Sequence, residues 1–382
     1  VECEIERRLK KLRREDPFAG VHTCPTSSLD VPDEQSVRLV VLRPTDGFTS
    51  STQYCAAMNT ATDMMEHRGT SPRSYRNMLI FLAPDQGALP ALEQEVRRYL
   101  AWTSIKNDSQ DLNLDAAQNR ETANSLKRSH ETVDLRLNET WCWLLVPSVD
   151  RADMKTLEWE KTRLSGSADT LITRTAHKLI QNEAVIKEWA PALLLMELDD
   201  LLWRGANHLQ IKQLWDYLTT YCYLPRLASY NVLEKAIQRG LQSEEYFAYA
   251  AAVGENRYID LKYNQSASVD RSGFLVRVKE AKEQIEREQS AKSGNAAPST
   301  PGVNNPGSDP IDTPLTTGTS PDNPLPAPGE PSVPKSMRFF LSAQLDTTRI
   351  NRDVQRILEE IVVHLTQEQD VTMEMRLEVA AT

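Results

Sequence analysis

Met78-Leu79-Ile80-Phe81-Leu82-Ala83 is an unbroken apolar run that stops at Pro84-Asp85. A stretch of this length, without charge and rich in branched and aromatic side chains, reads as a strand buried on both faces. It is the strongest strand signal in the chain, and its neighbours decide the fold class. Upstream, Val37-Arg38-Leu39-Val40-Val41-Leu42 is a second run, stopped by Pro44; downstream, Trp141 to Val146 is a third. Between the first two, Ser50-Ser51-Thr52 offers caps for a helix carrying Tyr54, Met58, Ala61 and Met65 at steps of three to four, closed by Gly69 and Pro72. After Ala83 comes a helix with Pro90 in its first turn and Leu89, Leu92, Val96, Tyr99 and Leu100 on one face, then a polar helical stretch from Asp111 to Asn138. Strands separated by helical connections predict an α/β layer with a largely parallel sheet over residues 1–150.

Residues 151–289 read differently. Ser167 to Trp189, Ala192 to Trp203, Leu209 to Tyr223 and Leu233 to Arg239 are helical by period, the last closed by Gly240. Tyr246 to Tyr249 and Arg257 to Tyr263 flank a Gly254-Glu255-Asn256 turn and predict a hairpin. Helix, helix, hairpin is the order of a winged helix-turn-helix. The competing reading is a helical domain whose small β flap serves packing. Phe274 to Glu288 is expected to be a charged amphipathic helix. Residues 290–336 have prolines from Pro298 to Pro334 among Gly, Ser, Thr and Asn, with almost no large apolar side chain, which predicts a flexible, disordered linker. Residues 337–382 read as a truncated β-α-β unit: a strand over Arg338 to Leu345, a helix over Thr347 to Leu365 and a strand over Val371 to Val379. The chain starts at Val1 and stops directly after a strand pattern, so a piece of a larger protein is expected.

The 382 residues carry 44 Lys and Arg against 54 Asp and Glu, a net charge of −10. That balance argues against bulk electrostatic attraction to DNA but leaves room for a local basic face. No run approaches the roughly 18–20 apolar residues of a membrane span, so no membrane partner is expected. Cys3, Cys24, Cys55, Cys142 and Cys222 are odd in number, scattered and without a CxxC pair, the pattern of reduced, cytoplasmic thiols.

No GxxxxGK[ST] loop is present to cradle phosphates, and neither GxGxxG, HExxH nor GxSxG occurs. Met78 to Asp85 has the outline of a Walker B strand, whose terminal acid would hold Mg²⁺, although Gln86 stands where a catalytic Glu would follow. Arg73 and Arg76, just before that strand, are candidates for an arginine finger reaching a neighbouring subunit's γ-phosphate in an oligomer. Ion pairs at the start of a strand are the plainer reading of both. Lys235 and Arg239, four residues apart on one helix, are the candidate nucleic-acid contacts. The basic run Arg7 to Arg14 reads as a solvated helix face, and His22 with Cys24 offers two of the four ligands that zinc wants, so no metal site is expected. No catalytic residue can be assigned.

Taken together, Tyr75-Arg76-Asn77-Met78-Leu79-Ile80-Phe81-Leu82-Ala83-Pro84-Asp85 and Val96 to Trp102 resemble the large bacterial AAA-type (P-loop) ATPases of unknown function linked to phage-defence islands, the PglY-like family. The likeness continues at Leu214-Trp215-Asp216-Tyr217, at Tyr223-Leu224-Pro225-Arg226-Leu227 and at Tyr246 to Ala250. It resumes at Phe340 to Glu378, with Arg349, Glu359-Glu360 and His364-Leu365. These proteins are often encoded beside a DNA methyltransferase and a helicase, in restriction- and modification-type systems. The resemblance implies a C-terminal region of such an ATPase, with ATP and Mg²⁺ bound upstream in the parent protein. This chain would then not hydrolyse ATP alone. Its expected role is to couple ATP binding and hydrolysis to docking of those partner proteins or of DNA. The alternative is a DNA-binding module through the winged-helix-like region.

Overall fold

A computed structural model describes residues 1–51, 55–166 and 169–293. Tyr54 and Thr52 of its expected cap, Ser167, the linker from residue 294 on and the expected C-terminal β-α-β unit lie outside these residues.

The chain opens with α1 (Glu2–Leu9), then β1 (Gly20–Thr23), β2 (Arg38–Val41) and α2 (Ala56–Glu66). A small ribbon of β3 (His67–Arg68) and β4 (Ser71–Pro72) leads to β5 (Leu79–Pro84). Two long helices, α3 (Leu89–Asn107) and α4 (Ala116–Thr140), come next, followed by β6 (Trp141–Val149), β7 (Leu157–Arg163) and α5 (Leu171–Gln181). The five main strands form one sheet in the order β1-β2-β5-β6-β7.

Period-two alternation sends successive apolar residues of β2, after Arg38, and of β5 to opposite faces of the sheet. Leu39, Val41, Ile80, Leu82, Leu144 and Val146 face a core closed by Ile5, Leu9, Leu92, Val96, Val133, Leu137, Leu171 and Leu179 of the surrounding helices. Val40, Leu42, Leu79, Phe81, Ala83 and Leu145 face the other way, onto Met58, Ala61, Met64 and Met65 of α2. With both faces covered, these strands are apolar apart from Arg38 at the start of β2, which is buried and bonds the Glu34 carboxylate.

The sheet is mixed, not largely parallel as expected. The pairs β1–β2 and β2–β5 are parallel, whereas β5–β6 and β6–β7 are antiparallel. The connection explains the change of direction. From β5 the chain runs out along α3, turns over residues 108–115 and comes back along α4, so β6 begins at the end of the sheet where β5 finished. Asp115 makes that return sharp: its carboxylate accepts from the N–H groups of Ala117 and Gln118, and Gln118 reaches back to the Asp115 N–H, a capping box.

The expected boundary at residue 150 falls inside this body. β7 extends the sheet, and Leu164, Leu171, Ile172, Ala176, Leu179 and Val185 share its core. A second core starts at Trp189. It contains α6 (Pro191–Glu197), which continues through a π-helical turn at Leu198–Leu202, then β8 (His208–Gln210), α7 (Ile211–Thr220) and α8 (Tyr230–Gly240). After these come β9 (Ala248–Ala250), the hairpin strands β10 (Ala252–Val253) and β11 (Tyr258–Ile259), β12 (Phe274–Val276) and α9 (Val278–Ser293). The hairpin around residues 254–257 is present, with Val253 opposite Tyr258, Ala252 opposite Ile259 and Tyr249 bridged to Lys262. Phe274–Val276, expected as the start of a helix, is instead a strand between two others. It pairs antiparallel with β8 on one side and β9 on the other, in the order β8-β12-β9. Leu275 is buried beneath α7 and α8, and Val276 faces Ala281 of α9.

Candidate functional site

Two of the three residues expected near a nucleotide, Asp85 and Arg73, are bonded inside the chain. Asp85 follows β5, and its Oδ1 accepts the Gly87 N–H at 2.8 Å, fixing the turn into α3. Its Oδ2 accepts the Trp143 indole N–H at 3.1 Å and lies 3.6 Å from Arg163 Nη2. Arg73 is only 2% exposed. Its Nε donates to the Met64 carbonyl at 2.7 Å, Nη1 to Pro32 at 3.0 Å, and Nη2 to Ser28 and Val31 at 3.2 and 3.1 Å. Four of the five guanidinium N–H groups are thereby used, with Asp33 3.8 Å from Nη1. Such an arginine ties the loop before β2 to the end of α2 and has no reach beyond its own chain. Arg76 is exposed and spends only Nε, on the Arg73 carbonyl at 3.2 Å. Asp85 and Arg73 thus hold partners within the chain, whereas Arg76 keeps its terminal guanidinium donors exposed.

What the sequence left without a role is a clamp between the two cores. Asn77 Nδ2 donates to the carbonyls of Leu218 and Leu224, at 2.8 and 3.2 Å, at the end of α7 and in the turn after it. In return Arg226, buried, donates from Nε to the Asn77 carbonyl, from Nη1 to Ala184 at 3.0 Å and from Nη2 to Pro147 at 2.9 Å. Burial pushes the Arg226 pKa down from its ordinary value. Ile186 and Leu227 add a parallel bridge beside it, and Gln35 Nε2 holds Asp216 Oδ1 at 2.5 Å. Asn77 and Arg226 thus stand in two of the short strings that carried the family resemblance, and the fold brings those strings into direct contact. Since the partners are main-chain oxygens, no residue pattern announces the clamp.

The α8 helix has the opposite character. Val232, Leu233, Ala236, Ile237 and Gly240 are buried, while Asn231, Lys235 and Arg239 form an outward row one helical turn apart, with Gln242 just beyond. Glu234 and Gln238 flank the row and bond to each other at 3.4 Å. Among the described residues Lys235 and Arg239 take part in no ion pair or side-chain hydrogen bond. At the start of α8, Arg271 lies over the Tyr230 ring at 3.8 Å, where Glu234 and Asp270 also act on the phenol. Residues 186–293 as a whole carry 14 Lys and Arg against 15 Asp and Glu.

The remaining candidates are structural. Arg7 and Arg8 of the N-terminal run pair with Glu4, and Arg8 also meets Asp134 and lies 4.5 Å above the Tyr99 ring, joining α1 to α3 and α4. His22 Nε2 lies 3.1 Å from Arg38 Nη1, and burial, then the Arg38 charge, lowers its pKa. Burial pushes the Cys24 thiol up to about 12. Among the described residues no helix is long and apolar enough to cross a membrane. The chain matches no protein-family model, no curated protein and no solved structure.

Proposed function

We propose that the chain is the docking part of a defence-associated AAA-type ATPase of the cytoplasm, and that residues 191–276 are a winged-helix module that binds duplex DNA through α8. The strand order β8-β12-β9, laid over the sequence helix-strand-helix-helix-strand-strand, carries this reading. In a winged helix the third helix, here α8, enters the major groove, and the loop between the last two strands, here with the β10–β11 hairpin, lies beside it. The unpaired row Asn231, Lys235 and Arg239 supports the assignment, since it supplies one neutral reader and two cations with no competing carboxylate bonded to them. The resemblance to the PglY-like family puts ATP and Mg²⁺ in the longer parent protein, where ATP hydrolysis would be the activity. The Asn77–Arg226 clamp supports a coupling role, because it leaves the α/β body and the winged helix no bonded freedom at the junction.

Titration of a labelled duplex with the wild-type chain and with Lys235→Glu/Arg239→Glu, each at several salt concentrations, tests the docking surface. Wild-type affinity should fall steeply with salt, and the double variant should bind at least tenfold more weakly with a shallower salt slope. Equal affinity of the two proteins removes α8 from the interface. The near balance of charge over 186–293 favours a second reading, in which the same module docks a methyltransferase- or helicase-type protein. That reading gains if the wild-type chain ignores duplex DNA at low salt and captures such a partner.

A further inference from the structure

The sheet β8-β12-β9 separates two unequal layers. On one face Leu275 and Tyr249 join the second core, among its leucines and tryptophans. On the other, Ala248, Ala250 and Val276 meet Ala281 of α9, with Tyr258, Leu261 and Tyr263 packed around them. The fully buried members of this outer layer are three alanines and one valine, so it removes little apolar area from water, and hydrophobic stabilisation scales with that area. α9 adds little more. Of its described side chains only Ala281 and Gln284 are buried, while Lys279, Lys282, Glu283, Glu286 and Arg287 are exposed.

Gln284 joins this helix to the hairpin through main-chain hydrogen bonds. Its Oε1 accepts the Tyr258 N–H at 2.6 Å, and its Nε2 donates to the Tyr258 carbonyl at 2.8 Å and to Glu288 Oε1 at 2.9 Å. One side chain thereby stands where a further strand would pair, and it satisfies both main-chain groups of Tyr258, the first residue of β11. The Tyr258 hydroxyl lies 3.3 Å from His208 Nδ1, and Lys282 of α9 lies 5.9 Å from the Tyr263 ring. At its base the hairpin is tied to β9 by a reciprocal pair, Tyr249 N–H to the Lys262 carbonyl at 2.9 Å and Lys262 N–H to the Tyr249 carbonyl at 2.7 Å. Beyond that base stand the exposed Glu255, Asn256 and Arg257 of the tip. The hairpin therefore has a hinge at Tyr249–Lys262 and a catch at Tyr258–Gln284, over a layer too thin in apolar area to hold it by burial.

We propose that the β10–β11 hairpin and α9 are one latched unit, with Gln284 its positioning residue, which opens while α7 and α8 stay folded, and that the closed latch sets the hairpin for duplex binding. The second half rests on the duplex reading; the first does not. Amide hydrogen exchange of the whole chain tests the latch. Ala251, whose N–H bonds the Ile259 carbonyl across the hairpin at 2.9 Å, reports on the hairpin without touching Gln284. In the wild type its amide and those of α9 should exchange together and faster than those of α7 and α8, as a unit that opens below global unfolding does. Gln284→Met keeps the stem and removes both bonds to Tyr258. It should speed exchange at Ala251 and in α9 alike by about tenfold or more, the order for two lost hydrogen bonds, and leave α7 and α8 unchanged. Gln284→Glu, which keeps the acceptor and loses the donor, should fall between. The latch is overturned if Ala251 and α9 exchange no faster than α7 and α8, or if Gln284→Met speeds neither, only one of them, or all four segments equally. In a duplex titration Gln284→Met should bind several-fold more weakly than wild type, and equal affinity overturns the control of binding. If the wild type ignores the duplex, the duplex reading and that control fail together, and the exchange result still decides the latch.

Discussion

Arg226 serves three carbonyls from three different segments, and Asn77 returns two bonds to the turn that holds it. Replacing Arg226 by Met keeps much of the stem volume but strands those acceptors, each costing about 1–3 kcal/mol when buried without a partner. Arg226→Met should therefore lower the urea midpoint by the equivalent of at least about 3 kcal/mol, and Asn77→Ala by about 1–3 kcal/mol. A midpoint within experimental scatter of wild type for Arg226→Met would show that the two cores do not depend on this clamp. None of this is legible from residue types. An arginine that bonds side chains leaves a trace in the positions of acids, but one that bonds main-chain oxygens leaves none. The same holds for Arg73, whose place beside an apolar strand suggests a free finger and whose four carbonyl partners are invisible in the sequence. Lys235 and Arg239 are the contrary case: helical spacing alone places them outward, because the apolar residues around them fix which side is in.

At the level of elements, apolar strands are legible and polar edges are not. β2, β5 and β6 announce themselves by continuous branched and aromatic runs, whereas β1 is four residues of mixed character and β7 alternates Leu157 and Trp159 with charges. Both lie at the margins of the sheet, where one side of the strand stays in water and charge discourages further pairing. Phe274–Val276 is three residues long, too short for a period, and only its partners identify it as a strand. The end of α8 offers a test of its packing. A Cβ added at Gly240 would stand 2.5 Å from Phe247 Cζ and 3.2 Å from Pro191 Cβ. In a free helix Gly→Ala adds about 1 kcal/mol of stability; here the ring must move, and overpacking costs about 1–3 kcal/mol. Gly240→Ala should lower the urea midpoint, and a raised midpoint would show that α8 and β9 are less closely packed than described.

For the whole molecule, ionisation sets an alkaline limit. Burial raises the thiols of Cys24, Cys142 and Cys222 and the phenols of Tyr223, Tyr230 and Tyr258 above their ordinary values. For an acid whose folded pKa is raised, the folded state holds its proton after the unfolded chain has lost it. Stability is therefore fully present below the unfolded values, near 8.5 for Cys and 10 for Tyr, and is lost as pH rises toward the folded ones, about 12 for Cys24. Thermal midpoints should be level between about pH 7 and 8 and fall progressively above about pH 9. A flat profile through pH 10.5 would contradict the burial of these groups. His22 acts at the other limit: its lowered pKa makes the folded state resist protonation, so its contribution is present above about pH 6.5 and is lost on acidification.

The α3–α4 arm between β5 and β6 has a consequence for how the chain can vary. The sheet registers only the parity of what is inserted there, not its length. Two helices of any matched size return the chain to the same edge, so β6 still runs down beside β5 and every cross-strand pair from Phe81–Leu145 onward is kept. A single helix in the same place would deliver β6 to the opposite edge and turn it parallel, carrying β7 and the attachment of the second core with it. The outer part of the arm is therefore free to lengthen, shorten or change its surface, while its inner part stays packed on the sheet through Leu92, Val96, Val133 and Leu137 and the number of its helices is set by the direction of β6.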